Sequence, residues 1–301
     1  MDRIDAMRAF VAVAAHESFA EGARQLRQSP SAVTRAIGQI EAELGILLFN
    51  RTTRVVRLTD RGRVHFESCR RILDDIAAAD RLVRGEDAEP RGLIDVAAPV
   101  LFGRLHVLPI TLALMARYPA LEARLVLSDR NVHLVDDGFD LAVRIGALPD
   151  SSLMAVRLGS VCRTVVASPA YLAARGTPAA PADLARHDII AFANLDAVDA
   201  WHFGTAAKPV RVFPRLTVNS AAAAIAAAEA GAGITHCLSY QVREAVRAGR
   251  LVLLLPGHRP PPVPVSVVFA ANRHGAPNVA AFVAAARAHF AANPLVPPAE
   301  W

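Results

Sequence analysis

Apolar residues over the first 45 positions repeat with a helical period. Ile4, Met7, Phe10, Val11 and Ala14 recur at three- and four-residue steps, predicting one buried helical face. His16-Glu17-Ser18 interrupts the pattern, and Ser18 is placed to cap a second helix with Phe19, Ala23 and Leu26 inside. Arg27-Gln28 ends that helix. Ser29 then offers an N-cap oxygen, and Pro30 fits the first helical position, where a missing N–H costs little. Val33, Ile37, Ile40 and Leu44 give the third helix its stripe, and Gly45 follows where a left-handed terminator belongs. From Leu47 to Leu58 two apolar runs flank a polar turn, which predicts a small hairpin.

Thr59 is positioned to cap a helix from about Asp60 to Gly85. Along it Cys69, Ile72, Ile76, Ala79 and Val83 step by three, four, three and four, with charges on the other faces. That spacing predicts a coiled-coil seam and hence a homodimer, with a helix packed on its own domain as the alternative. The charged segment Glu86–Gly92, with Pro90 and Gly92, reads as a hinge. From Leu93 onward short apolar runs alternate with helical stretches. Strands are expected at Leu93–Ala97, Leu121–Leu127, Leu141–Ile145, Val161–Ala167, Ile189–Ala193, Val210–Leu216, Ile234–Leu238, Leu251–Leu255 and Val263–Ala270. Helices are expected at Phe102–Ala116, Ser220–Glu229, Tyr240–Ala248 and Asn278–Ala291. One or two helical turns are expected at Val132–Asp137, and a frayed tail at Pro294–Trp301. This alternation predicts an α/β domain with a largely parallel sheet.

The N-terminal segment has the demands of a helix-turn-helix: a small residue where two helices cross, Ala23, and an aliphatic one ten positions on, Val33. The outer side of the third helix carries Ser31, Thr34, Arg35 and Gly38. Short polar side chains and an Arg at a helix N-terminus can reach base edges and phosphates in a major groove. Arg51, Arg54 and Arg57 make the hairpin basic. Four pieces occur in order: Ser29-Pro30-Ser31-Ala32-Val33-Thr34-Arg35, Glu41-Ala42-Glu43-Leu44-Gly45, Leu48-Phe49-Asn50-Arg51-Thr52 and Leu58-Thr59-Asp60-Arg61-Gly62. Together they resemble the winged helix-turn-helix of LysR-type transcriptional regulators. The departures are Arg27 at a turn position that is often glycine, Pro30-Ser31 where many members have Gln-Pro, and Arg61 where alanine is common. The resemblance implies a double-stranded DNA operator, an imperfect palindrome, as partner. It implies contacts from Ser29, Pro30, Ser31, Ala32, Thr34, Arg35, Arg51, Thr52, Thr53 and Arg54. It also implies assembly as a dimer or a tetramer, and contact with RNA polymerase where the protein activates.

The remainder resembles the two-lobed type 2 periplasmic-binding-protein fold that serves as effector domain in the same family. The matching stretches are Val96–Arg104, Gly138–Gly146, Ser168–Leu172 and Glu229–Ile234. The resulting division is a winged helix-turn-helix at 1–58, a linker helix and hinge at 59–90, and an effector domain at 91–301. Its lobes are expected at 91–161 plus 268–301, and at 162–267. In open α/β sheets ligands sit beyond the carboxyl ends of strands, where helix N-termini offer N–H groups to anions. Val100, Phe102, Ser128, Arg144, Trp201, Asn219 and Ser220 are the expected lining of a cleft for a small organic, anionic effector. For each, turn or capping chemistry is the alternative; Ser220 has a helix to cap.

Composition refines this picture. The chain carries 33 basic and 28 acidic residues, net +5. Residues 1–90 hold fourteen Arg and fourteen Asp plus Glu, so the DNA-reading end is not basic as a whole. Its positive charge is local: seven Arg against two acids lie within 51–71. Placed arginines, not the whole-chain charge, point to nucleic acid. The N-terminus shows no charged-then-apolar leader, and the apolar runs are short, so a cytoplasmic protein without a membrane span is expected. Cys69, Cys162 and Cys237 are scattered and predict no disulfide framework. The ten His show no metal-ligand spacing, so neither metal nor cofactor is expected. An α/β enzyme is one alternative, but no GxSxG elbow is present, and Cys162 or Cys237 with His236 is a weak thiol pair. A solute-binding transport protein is the other, opposed by the N-terminal helices and the missing leader.

Overall fold

A computed structural model describes residues 2–51, 56–83, 89–130, 134, 137–148, 152–193, 198–205, 208–273 and 275–295, with backbone alone at 51, 78, 79 and 81–83. The chain forms two compact units, Met1–Leu93 and Ile94–Trp301.

The first unit runs α1 (Arg3–His16), α2 (Phe19–Gln25), α3 (Pro30–Leu44), β1 (Phe49–Arg51), β2 (Val56–Leu58) and α4 (Asp60–Val83). Phe10, Val13, Ala23, Val33, Ile37, Ile40, Leu48 and Phe49 fill its core. The expected caps are in place. Ser18 Oγ accepts from Glu21 N–H at 3.3 Å, Ser29 Oγ accepts from Ala32 N–H at 3.2 Å, and Gly45 terminates α3 in the left-handed region. β1 pairs antiparallel with β2, Phe49 opposite Leu58. Buried Glu41 sets the hairpin on the helices, its Oε1 accepting from the N–H groups of Leu48 (2.8 Å) and Phe49 (3.2 Å). Thr59 locks the far side: its hydroxyl donates to Leu47 O at 2.9 Å and accepts from Gly62 N–H at 2.9 Å. A Cβ at Gly62 would overlap the Leu48 carbonyl, so only glycine fits there.

The seam expected along α4 is corrected at its first member. Cys69 is fully buried in its own domain, with Phe66 and Leu73 packed around the same core. Ile72 is 42% exposed and Ile76 half-buried, so the outward apolar stripe starts a turn later. The side chains of Ala79 and Val83 lie outside the described residues, as do most of Val132–Asp137 and the start of the expected hinge.

The second unit begins with β3 (Gly92–Ala98), α5 (Val100–Phe102), a π turn (Gly103–Val107), α6 (Leu108–Arg117), β4 (Leu121–Leu127), β5 (Leu141–Ile145) and β6 (Leu153–Val161). The chain then crosses into β7 (Arg163–Ala167), α7 (Pro169–Arg175), β8 (Ile189–Phe192), β9 (Ala200–Trp201), β10 (Val210–Arg211), β11 (Pro214–Val218), α8 (Ala221–Glu229), β12 (Ile234–Leu238), α9 (Ser239–Arg247) and β13 (Val252–Leu254). It returns through β14 (Val263–Ala270) and ends in α10 (Pro277–Ala292). The first sheet has the order β4-β3-β5-β14-β6 and the second β11-β8-β12-β7-β13.

Both sheets are mixed, which corrects the largely parallel expectation. β3 and β5 are parallel, but β14 runs antiparallel to both β5 and β6. β8 is parallel to β11 and β12, whereas β7 is antiparallel to β12 and β13. The lobe boundary expected at 267/268 also moves. β14 is ladder-bonded to the first sheet from Val263 onward, so the return is complete by that residue. The tail is tied down at its start: Leu295 is buried, and Arg243 Nη2 donates to the carbonyls of Pro294 (3.1 Å) and Leu295 (3.2 Å).

Helix formation from Val100 through Arg117 survives Pro109 because the π turn precedes α6 and places the proline in its first turn, where no N–H is required. This stretch is long and apolar enough to match a membrane span by composition. Phe102, Val107, Ile110 and Leu114 pack in the core of the first lobe.

The lobes exchange core side chains, Leu101 in one direction and Leu238 and Tyr240 in the other. Leu101 packs among Val166, Ile190, Ile225 and Val242 of the second lobe. Tyr240, from α9, packs in the first lobe's core, its ring 5.2 Å from Phe102. Beside it His106 Nδ1 lies 3.4 Å from His289 Nε2. An ionic chain braces the first sheet. Arg124 on β4 grips the fully buried Asp95 of β3 through both oxygens, Asp95 N–H donates to Asp140 Oδ2 at 2.8 Å, and Arg273 pairs with Asp140 Oδ1 at 3.3 Å.

Candidate functional site

The DNA-reading candidates form an exposed surface at the start of α3. Ser29, Pro30, Ser31, Thr34 and Arg35 are exposed, and Ala32 is half-buried. Ser29 is occupied as the cap, its Oγ 3.1 Å from Ser31 Oγ, and Thr34 donates to Pro30 O at 2.8 Å. Arg51 belongs to β1, and its side chain is outside the described residues, as are Thr52, Thr53 and Arg54 entirely.

Charge pairing separates the arginines of this unit into two groups. Arg3, Arg8, Arg24 and Arg63 are neutralised by Glu43, Asp5, Glu21 and Asp60. Among the described residues Arg27, Arg35, Arg57 and Arg61 make no ion pair, and all four are exposed. Residues 1–90 carry no net charge, yet among the described residues unneutralised cations stand in the turn, on α3, on β2 and at the start of α4. Arg27 adopts φ 53°, the left-handed conformation that glycine would take without steric cost. Sequence reasoning treated Arg27 and Arg61 only as departures from a pattern; their exposed, unpaired charge is what it missed.

The second unit contains a cavity of about 310 Å³ between its lobes. The first lobe contributes Pro99, Ser128, Asp129, Arg130 and Arg144; the second contributes Arg163, Phe192, Tyr240 and Gln241. Of the seven expected residues, Ser128 and Arg144 line it. Ser128 follows β4, where its N–H donates to Ala98 O at 2.9 Å and its Oγ accepts from Arg130 N–H at 3.1 Å. Arg144 sits near the end of β5, opposite Ser266 of β14.

The other five lie elsewhere. Phe102 is fully buried, one layer behind Tyr240. Trp201 is buried beneath the second lobe's small hairpin, its ring 5.2 Å from His236. Val100 is 42% exposed, and Ser220 caps α8 by accepting from Ala223 N–H at 3.4 Å. Asn219 is exposed beside it; none of the five lines the cavity. At the helix start after β3, Val100 N–H is already taken: it donates to Asp129 Oδ1 at 3.0 Å. Burial pushes the Asp129 carboxyl up, and this backbone bond partly opposes the shift. Burial lifts the Tyr240 phenol as well. Arg163, Tyr240 and Gln241 were not foreseen, because only the fold of the second lobe brings them across.

Comparison with known proteins places both units. Residues 4–63 match the family of bacterial regulatory helix-turn-helix proteins of the lysR type, and residues 87–291 match the LysR substrate binding domain. The chain is 35% identical over 277 residues to the uncharacterized HTH-type transcriptional regulator YhjC of Escherichia coli K12, covering 91% of this chain and 93% of the relative. It is 35% identical over 289 residues to the HTH-type transcriptional regulator PtxR of Pseudomonas aeruginosa, covering 95% and 93%. Among solved structures, the LysR-type regulator CrgA of Neisseria meningitidis aligns with a TM-score of 0.60 at 29% identity, covering 97% of this chain and 98% of that one. The chain belongs to the LysR family of transcriptional regulators, joining a DNA-binding helix-turn-helix unit to a substrate-binding effector domain.

Proposed function

We propose that this regulator reads an imperfectly palindromic operator through Ser31, Thr34 and Arg35 of α3, and that a small anionic effector held by Arg144 and Arg163 sets its occupancy. The observation that carries the reading is the exposed, unpaired Arg35 at the start of α3, in a unit whose other arginines are partly neutralised by their own carboxylates. Arg27, Arg57 and Arg61 add phosphate contacts that position the protein without selecting sequence. Arg51, Thr52, Thr53 and Arg54 supply further contacts to the DNA in this reading.

Two copies pair through the outward stripe of α4 that begins at Ile72, giving each half-site one reading head. A dimer of such dimers is the fuller assembly, and RNA polymerase is the further partner where transcription is activated. The protein works in the cytoplasm by differential binding, not catalysis: an effector shifts the operator-bound population only by preferring one state. Footprinting on the DNA upstream of its own gene, against a scrambled duplex of equal length, tests the reading. A protected operator is expected, and equal retention of both duplexes rejects it.

A further inference from the structure

The cavity is lined by charges of both signs. Among the described residues, Arg130, Arg144 and Arg163 line it together with Asp129, the single acidic one. Among the described residues Asp129 makes no ion pair with any of them. Its Oδ1 accepts from Val100 N–H at 3.0 Å, which is its one hydrogen bond among those residues and leaves Oδ2 an open acceptor. Tyr240 lies close enough to feel the Asp129 charge, and its hydroxyl already accepts from Gln241 Nε2 at 3.3 Å.

This arrangement discriminates among anions. A plain monocarboxylate on the arginines would cover Asp129 without giving it a donor, and a desolvated unsatisfied acceptor is costly. A dicarboxylate would set a second negative charge against Asp129. A molecule with an acid at one end and an O–H or N–H at the other satisfies both poles. We propose that the effector is a small carboxylate bearing a distal hydrogen-bond donor, a hydroxyl or amine, received by Asp129. This rests on the cavity being the effector site and adds the second pole to its chemistry.

Calorimetric titration of the full chain with butyrate, 4-hydroxybutyrate, 4-aminobutyrate and succinate tests it. The hydroxy and amino acids are expected to bind about tenfold more tightly than butyrate, with succinate the weakest. In Asp129→Ala the hydroxy, amino and unsubstituted acids converge to within about twofold. Asp129→Asn, which keeps an acceptor for Val100 N–H, loses the amine preference and admits succinate. An unchanged melting temperature verifies that each variant is folded. Butyrate binding as tightly as its hydroxy and amino forms overturns the inference and leaves the anion cavity standing. If none of the four binds at millimolar concentration, the cavity reading itself fails and the inference falls with it.

Discussion

The two units place their chemistry in opposite ways. The proposed DNA-reading residues of α3 come from one short stretch, Ser29–Arg35, and Ser29, Pro30, Ser31, Thr34 and Arg35 are exposed on a core they do not build. The cavity is assembled from segments as distant as Ala97 and Val263, and several of its walls belong to packed elements. A surface site built locally can be altered with little effect on stability. A site built by topology shares residues with the fold, so changing it tests both.

The sharpest test of the first half of this contrast is a position that is structural though it lies in the reading unit. Gly62→Val forces a side chain into the Leu48 carbonyl and should cost upwards of ~3 kcal/mol, unfolding the N-terminal unit. Circular dichroism that shows an unaltered transition would refute the overlap. Arg35→Ala, by contrast, should leave the melting temperature unchanged. It should cost about 2 kcal/mol of discrimination between operator and random DNA in competition binding.

The effector unit offers a pH test. Burial, then the neighbouring His289 and Arg243, hold His106 down at about 4, and burial lowers His289 too. A folded value below the free value of 6.5 means the unfolded chain binds the proton more readily. The stabilisation is therefore complete above pH 6.5 and is lost as pH falls toward 4. After allowance for solvent screening the loss should be about 1.5 kcal/mol, and His106→Gln should remove most of it in urea titrations across that range. The smallest effect belongs to the turn. Arg27→Gly relieves the left-handed backbone and should raise stability by about 0.5 kcal/mol, while flattening the salt dependence of DNA binding by about one ion. An unchanged salt slope would count against a phosphate contact.

These contrasts explain what the sequence revealed. Every helix of the first unit was readable, because Phe10, Val33 and Ile37 recur at helical spacing and Ser29-Pro30 marks a start. The exception was Cys69, whose place in the α4 periodicity fits a partner seam and an internal core equally well. In the second unit most strands were readable as apolar runs. Leu153–Val161 was not, because its side chains alternate irregularly between half-buried and exposed positions and Gly159 interrupts the run. Ser128 and Arg144 were accessible to reasoning since they lie near the carboxyl ends of β4 and β5. Arg163 and Tyr240 were not, because only three-dimensional packing brings the second lobe against the first. Phe102 and Trp201, expected at the cleft, are buried in the cores of their own lobes.

The exchange of Leu101 and Tyr240 between lobes has a thermal consequence. Neither sheet can melt while the other keeps its borrowed residue in register, so the effector unit should unfold in one calorimetric step. A small molecule seated beside Tyr240 would then raise that single transition and be felt at once in both halves.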